Sequence, residues 1–278
     1  LRMLNIDFPM ASLIVLYLQI DDYTIQTRQY SDREREFLGR SILNLIKEVM
    51  RESQPAVTGI INENEFVCVL GFRDGENNIK LNSTVSAILN RIKISLQKFT
   101  NFTVTIGVSS TCTKILQTSE YFIQARKASA HKLFKGKNST ISYDEVRKEF
   151  SRTPVKWSPS SVENSLRSYL AKANLDAIKT LYESIFNDIL RPSSSVEFAN
   201  TICNELFLTL KRTVTAVGKD FYALIKQKDF TYSTINEAET LEERHKWLLA
   251  VTEYAFSNER VWRLYQYSTV IQKAIEYM

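Results

Sequence analysis

The sequence predicts an α+β fold: a split βαβ sheet with helices packed against it, followed by an all-helical domain. Three observations carry this. Over residues 1–150, short β-branched apolar runs alternate with segments whose apolar residues recur every three or four positions, in the order β-α-β-β-α-β-α-β. Beyond residue 160 only the helical period persists. Gly 7 and Pro 5 in 278 residues leave few positions for tight turns or helix breaks. A length of 278 suits two domains at about 150 residues each.

Leu13 to Leu18 is short, apolar and β-branched, a buried strand that stops at the polar pair Asp21-Asp22. Leu38, Ile42, Leu45, Ile46 and Val49 follow at helical spacing. Val57 to Ile61 and Phe66 to Leu70 are two strands joined by Asn62-Glu63-Asn64-Glu65, a hairpin. Val85, Ile88, Leu89, Ile92 and Leu96 mark a second amphipathic helix, and Phe102 to Val108 is a strand alternating apolar residues with Thr. Tyr121, Phe122, Ala125 and Ala128 place a third helix, and Thr140 to Tyr143 a closing strand. One sheet accommodates this order with short connections.

Ser151 to Ser161 holds Pro154 and Pro159 among Ser and Thr, so residues 151–160 read as a linker between a domain at 1–150 and one at 161–278. Ser160-Ser161-Val162-Glu163 has capping-box spacing. Helical stripes follow at Val162–Leu170, Leu175–Ile189 and Phe198–Leu210, the last stopping at Gly218. Thr240-Leu241-Glu242-Glu243 caps a further helix, and Val261, Trp262, Tyr265 and Ile271 belong to a last one. No period near 34 residues marks a repeat array, so a compact helical bundle is expected.

An apolar share of 44% and a charged share of 24% exclude a disordered chain. The apolar run Leu13 to Leu18 is far short of the about 20 residues that span a bilayer, and no signal-peptide pattern opens the chain. A soluble, cytoplasmic fragment without direct membrane contact is expected. Cys68, Cys112 and Cys203 are scattered and odd in number, as for reduced core thiols. With only His131 and His245, a His-rich metal site is excluded. A net charge of +5 is too mild to imply nucleic-acid binding. The opening Leu1-Arg2-Met3 and the helical pattern running to Met278 read as ends cut from a longer protein.

Four segments, in order, resemble the GGDEF family of diguanylate cyclases over residues 11–145. Gln19-Ile20-Asp21-Asp22-Tyr23 sits where the family has Asp-Ile-Asp-x-Phe. Asn62-Glu63-Asn64-Glu65-Phe66 sits on Gly-Gly-Asp-Glu-Phe, and Val104-Thr105-Ile106-Gly107-Val108 is similar to its Val-Ser-Ile-Gly strand. Ala125 to Asn138, with Lys132, Lys135 and Gly136, resembles its closing Ala-Lys-x-x-Gly-Lys-Asn run. The resemblance implies a ferredoxin-like, GGDEF-like α/β sandwich. It also implies that Gln19 and Asn64 occupy the positions that hold Mg²⁺ in active cyclases, and Asn62 and Glu63 those of glycines that let GTP approach. Amides lack the charge with which carboxylates hold Mg²⁺ beside a triphosphate. No catalysis, cofactor or metal is therefore expected. Glu65 and Phe66 remain, as turn and core residues.

A degenerate domain of this kind before a helical region resembles the middle of AraC-type, YesN-like transcription regulators, some of them response regulators of two-component signalling. Leu4 to Pro9 resembles the entry segment, and Val270 to Tyr277 the first helix of the AraC-type DNA-binding domain. The resemblance implies a homodimer taking its signal from an upstream receiver or membrane sensor, in a parent protein either free or membrane-anchored. DNA would be contacted only through a C-terminal helix-turn-helix domain absent from this chain. The alternative is a nucleotide or small-molecule receptor built on the cyclase fold.

Other candidates have two readings each. Arg126, Lys127, Lys132, Lys135 and Lys137, with no acid among them, make either an anion or partner patch or a solvated helix face and closing turn. Asp21 and Asp22 either bind a cation or end a strand and cap a helix. Trp157, Trp247, Trp262 and the tyrosines line a pocket or fill cores.

Overall fold

The central strand β1 (Ser12–Ile20) is buried over nearly its whole length because both faces of the sheet it sits in are covered. The computed structural model describes residues 8, 9, 11–73, 78–149, 158–172, 174–189, 195–216, 221, 235 and 237–257. The chain divides into two units, residues 1–151 and 152–278. In the first, β1 is followed by α1 (Tyr23–Gln26), α2 (Asp32–Arg51), β2 (Ala56–Asn62), β3 (Glu65–Phe72) and α3 (Asn78–Thr100). Then come β4 (Val104–Val108), a 3-10 turn (Ile115–Gln117), α4 (Thr118–Ala130), α5 (Lys132–Lys135), β5 (Thr140–Ser142) and α6 (Tyr143–Glu149). The five strands form one mixed sheet in the order β2-β3-β1-β4-β5, with only β4 and β5 parallel.

Strand alternation divides β1 between two cores. Ile14, Leu16, Leu18 and Ile20 face α2 and α3, meeting Ile42, Ile46 and Val49 of one and Ile88, Ile92 and Leu96 of the other. Val15 and Tyr17 face α4, meeting Ala125 and the partly buried Tyr121 and Phe122. That approach depends on Gly107: a Cβ there would stand 1.9 Å from the carbonyl oxygen of Ala125. At the sheet's other end Phe8 and Pro9 lie over Gly71 and close a small core with Leu13 and Cys112.

α2 begins two turns before the apolar stripe that predicts it. Ser31 and Glu34 form a capping box, the Glu34 carboxylate accepting from the Ser31 backbone N–H at 2.7 Å. The strand expected from Phe102 starts at Val104 instead, which leaves Phe102 outside it. Short helices after β1, α4 and β5 were not legible in the sequence.

The described residues of the second unit lie in α7 (Pro159–Ala171), α8 (Leu175–Ser184) with a π turn at Ile185–Ile189, α9 (Val196–Ala216) and α10 (Leu241–Ser257), with no strand among them. α7 starts at Pro159, inside the stretch expected as linker, since proline suits the first helical position. The expected capping box at Ser160 is therefore not formed, and Glu163 instead pairs with Arg167 and Arg212. The cap at Thr240 is formed: Glu243 accepts from the backbone N–H of Thr240, and the Thr240 hydroxyl accepts from that of Glu243. Leu166, Ile178, Tyr182, Ile202, Leu206, Leu210 and Val251 are buried, and Phe207 packs against Trp247 at 5.4 Å. Trp157, Trp262, Gly218, the segment Leu4 to Asp7 and the final helix lie outside the described residues.

Candidate functional site

The sheet end at which β1 finishes collects most of the residues singled out above. Gln19 is opposite Glu65 on β3 and Thr105 on β4, so the three form one row on the α4 face. The backbone N–H of Ile20 donates to the carbonyl oxygen of Asn64 at 2.9 Å, which brings Gln19 and Asn64 to the same corner. The β2–β3 turn has no glycine and no residue at positive φ. Asn62 stabilises it: its Oδ1 accepts from the Asn64 N–H at 3.1 Å, and its Nδ2 donates to Glu65 at 2.8 Å. Glu65 also accepts from the hydroxyl of Tyr17, whose pKa is raised by burial first and by this carboxylate second. Glu63 is exposed, with its backbone against Gly39 of α2. Phe66 is fully buried in the α2–α3 core.

Beside this corner the two carboxylates are already engaged. Asp21 has no exposed surface. It accepts from the hydroxyls of Thr103 and Thr105 at 2.9 and 2.7 Å and from the Asn138 N–H at 2.9 Å. The buried ammonium of Lys132 lies 3.7 Å from it. Asp22 takes a left-handed conformation before α1 but makes no side-chain cap bond; its carboxylate pairs with Lys137. Lys93 of α3 donates to the Asn138 carbonyl at 2.8 Å, and its pKa is lowered by burial and partly restored by Asp21.

The five basic positions are thus placed in different settings. Lys132 and Lys137 face the two aspartates, and Lys135 pairs with Glu145 at 3.2 Å. Arg126 lies over the ring of Phe122, and Lys127 is exposed on α4. Lys93, Thr103 and Thr105 were not singled out in the sequence. The Thr alternation signals a polar face, but not that α4 and Asp21 cover it. His131 is buried and lies 5.6 Å from the ring of Phe134, while His245 stacks on Phe186 at 4.7 Å. Among the described residues no group of three or more His, Cys, Asp or Glu is arranged to hold a metal ion. The donors at the expected Mg²⁺ position, two neutral amides beside acids already paired with lysines, do not fit a hard divalent cation.

A cavity of about 330 Å³ opens at the opposite end of the sheet, where the parallel strands β4 and β5 finish. Asn82, Ser86, Thr111, Thr140, Ser142 and Asp144 line it, with Ile14 and Val85 at its apolar side. Among the described residues no helix is long and apolar enough to cross a membrane.

Residues 1–130 match the family model described as the GGDEF-like domain. The match lies within the first unit. No curated protein matches the chain. Among solved structures, it is similar to the active GGEEF domain of a diguanylate cyclase from Vibrio cholerae at 16% identity, over 48% of this chain and 83% of that one, with a TM-score of 0.39. The GGDEF domain of YfiN (TpbB) from Pseudomonas aeruginosa gives 17% identity, 48% and 82% coverage, and a TM-score of 0.38. A monomeric guanylyl cyclase domain from the fungus Blastocladiella emersonii gives 11% identity, 44% and 75% coverage, and a TM-score of 0.32.

Proposed function

We propose that the GGDEF-like domain is a non-enzymatic signal-transmission module, and that the chain is the regulatory region of an AraC-type transcription regulator. The observation that carries the first part is the corner formed by Gln19 and Asn64. Both positions are amides, the adjacent turn is bonded to itself through Asn62, and Asp21 and Asp22 are neutralised by Lys132 and Lys137. A triphosphate brought there would find the Lys132 and Lys137 ammonium groups already paired with Asp21 and Asp22, and Glu63 would repel it. The regulator context rests on the sequence resemblance at the two ends of the chain. In this role an upstream input shifts the balance between two arrangements of the module, which needs only a few kcal/mol of differential stability.

A second reading, a small-molecule receptor, is favoured by the hydroxyl-lined cavity beyond the ends of β4 and β5. In α/β sheets, ligands collect outside the carboxyl ends of parallel strands. Calorimetric titration of the chain with GTP, then cyclic dinucleotides, each with and without Mg²⁺, tests the first reading. The expected result is no heat of binding in any arm. Magnesium-dependent GTP binding overturns the first reading, and magnesium-independent nucleotide binding favours the second.

A further inference from the structure

β2 is the outer strand of the sheet, and nothing about its sequence discourages pairing. From Pro55 to Asn62 it carries no charged residue, and Val57, Ile60 and Ile61 are 42%, 43% and 42% exposed. Uncharged, β-branched edges are templates for another strand unless lysines, prolines or bulges blunt them. The one irregularity here falls between Ile60 and Asn62 and leaves Ala56 to Ile60 in regular register. The phase of the free edge follows from one bond: the Pro55 carbonyl accepts from the Gly71 N–H at 3.0 Å. Residues 57 and 59 therefore bond towards β3, and the N–H and C=O groups of Ala56, Thr58 and Ile60 point outward.

We propose that this edge is a self-pairing surface. Two copies of the chain join antiparallel about a two-fold axis at Thr58, extending the sheet across both. The sequence around that axis is complementary to itself. Thr58 faces Thr58, Ala56 faces Ile60 and Val57 faces Gly59, so each bulky β-branched side chain meets a small one and no like charges oppose. A charged peptide would find no counter-charge along the strand, which favours a second copy as the occupant. The pairing supplies a surface for the dimer in the regulatory reading without depending on it, because assembly and GTP chemistry are measured separately.

Sedimentation of the 278-residue chain over a concentration series tests it. The wild type should dimerise reversibly. Thr58→Pro removes an outward donor without breaking a β2–β3 bond, and Val57→Lys places a charge on the edge; each should weaken the dimer at least about tenfold. Circular dichroism checks that both variants fold. A Thr58→Cys substitution should give a disulfide-linked dimer under mild oxidation, because hydrogen-bonded antiparallel partners lie about 5.5 Å apart at Cα, within disulfide range. Leu116→Cys, 94% exposed and elsewhere, should not. A monomeric wild type, a dimer indifferent to both edge variants, or cross-linking no more efficient at position 58 than at 116 overturns the proposal.

Discussion

A carboxylate with no exposed surface, such as Asp21, persists because the hydroxyls of Thr103 and Thr105, the Asn138 N–H and the Lys132 ammonium converge on it. Removing one side of such a pair costs about 3–5 kcal/mol, since the remaining charge stays in low dielectric. Asp21→Ala should destabilise the first unit by that order in chemical denaturation, and Asp21→Ala with Lys132→Met should recover part of the loss. Additive effects in that double-mutant cycle would mean the two side chains are not coupled. The thiols make a second prediction at this scale. Burial pushes Cys68 and Cys203 up, and Cys112 is fully buried. A thiol reagent should label none of the three in the native chain and all three in denaturant; rapid native labelling would contradict the packing described.

The site was legible only in part at this scale. That Gln19 and Asn64 share a corner follows from strand, hairpin and strand in one sheet, so a linear reading reaches it. That Lys132 and Lys137 face Asp21 and Asp22 does not. More than a hundred residues separate these partners in sequence (|i−j| is 115 for Asp22 and Lys137), and a run of basic residues looks the same whether solvated or folded back.

Among the elements, β4 is held to α4 by the absence of one side chain. Gly107→Ala should displace the helix and cost at least the upper end of the about 1–3 kcal/mol typical of overpacking, because the obstacle is backbone. A thermal melt within a degree of wild type would refute this. Tyr182, buried in the second unit, donates to Thr252, which itself donates to the Leu248 carbonyl. Its pKa is pushed up to about 12 by burial. An unfolded tyrosine ionises near about 10, so the contribution is complete below that pH and is lost as pH rises towards about 12. All three tryptophans lie in the second unit, so their fluorescence isolates it. Tyr182→Phe should flatten the alkaline loss of stability seen by that probe; an unchanged slope would contradict it. Periodicity located these elements because each buries one face, as with the Ile42–Ile46–Val49 stripe of α2. It missed helix beginnings at Ser31 and Pro159, where caps and proline geometry decide rather than apolar spacing.

For the whole molecule, the function proposed above requires a sheet that folds on its apolar cores alone, with no contribution from the corner at Gln19 and Asn64. The two cores on either side of β1 rest on apolar periodicity and Gly107, and none of Gln19, Asn62, Glu63 and Asn64 belongs to either. Stability thus draws on residues other than those at the corner, so the fold places no demand on the chemistry of Gln19 and Asn64. Turnover is the most direct measurement. Incubated with GTP and Mg²⁺, the chain should release no pyrophosphate and form no cyclic dinucleotide above a protein-free control. Sustained formation of either product, abolished when Asn64 or Gln19 is replaced by alanine, would contradict the account.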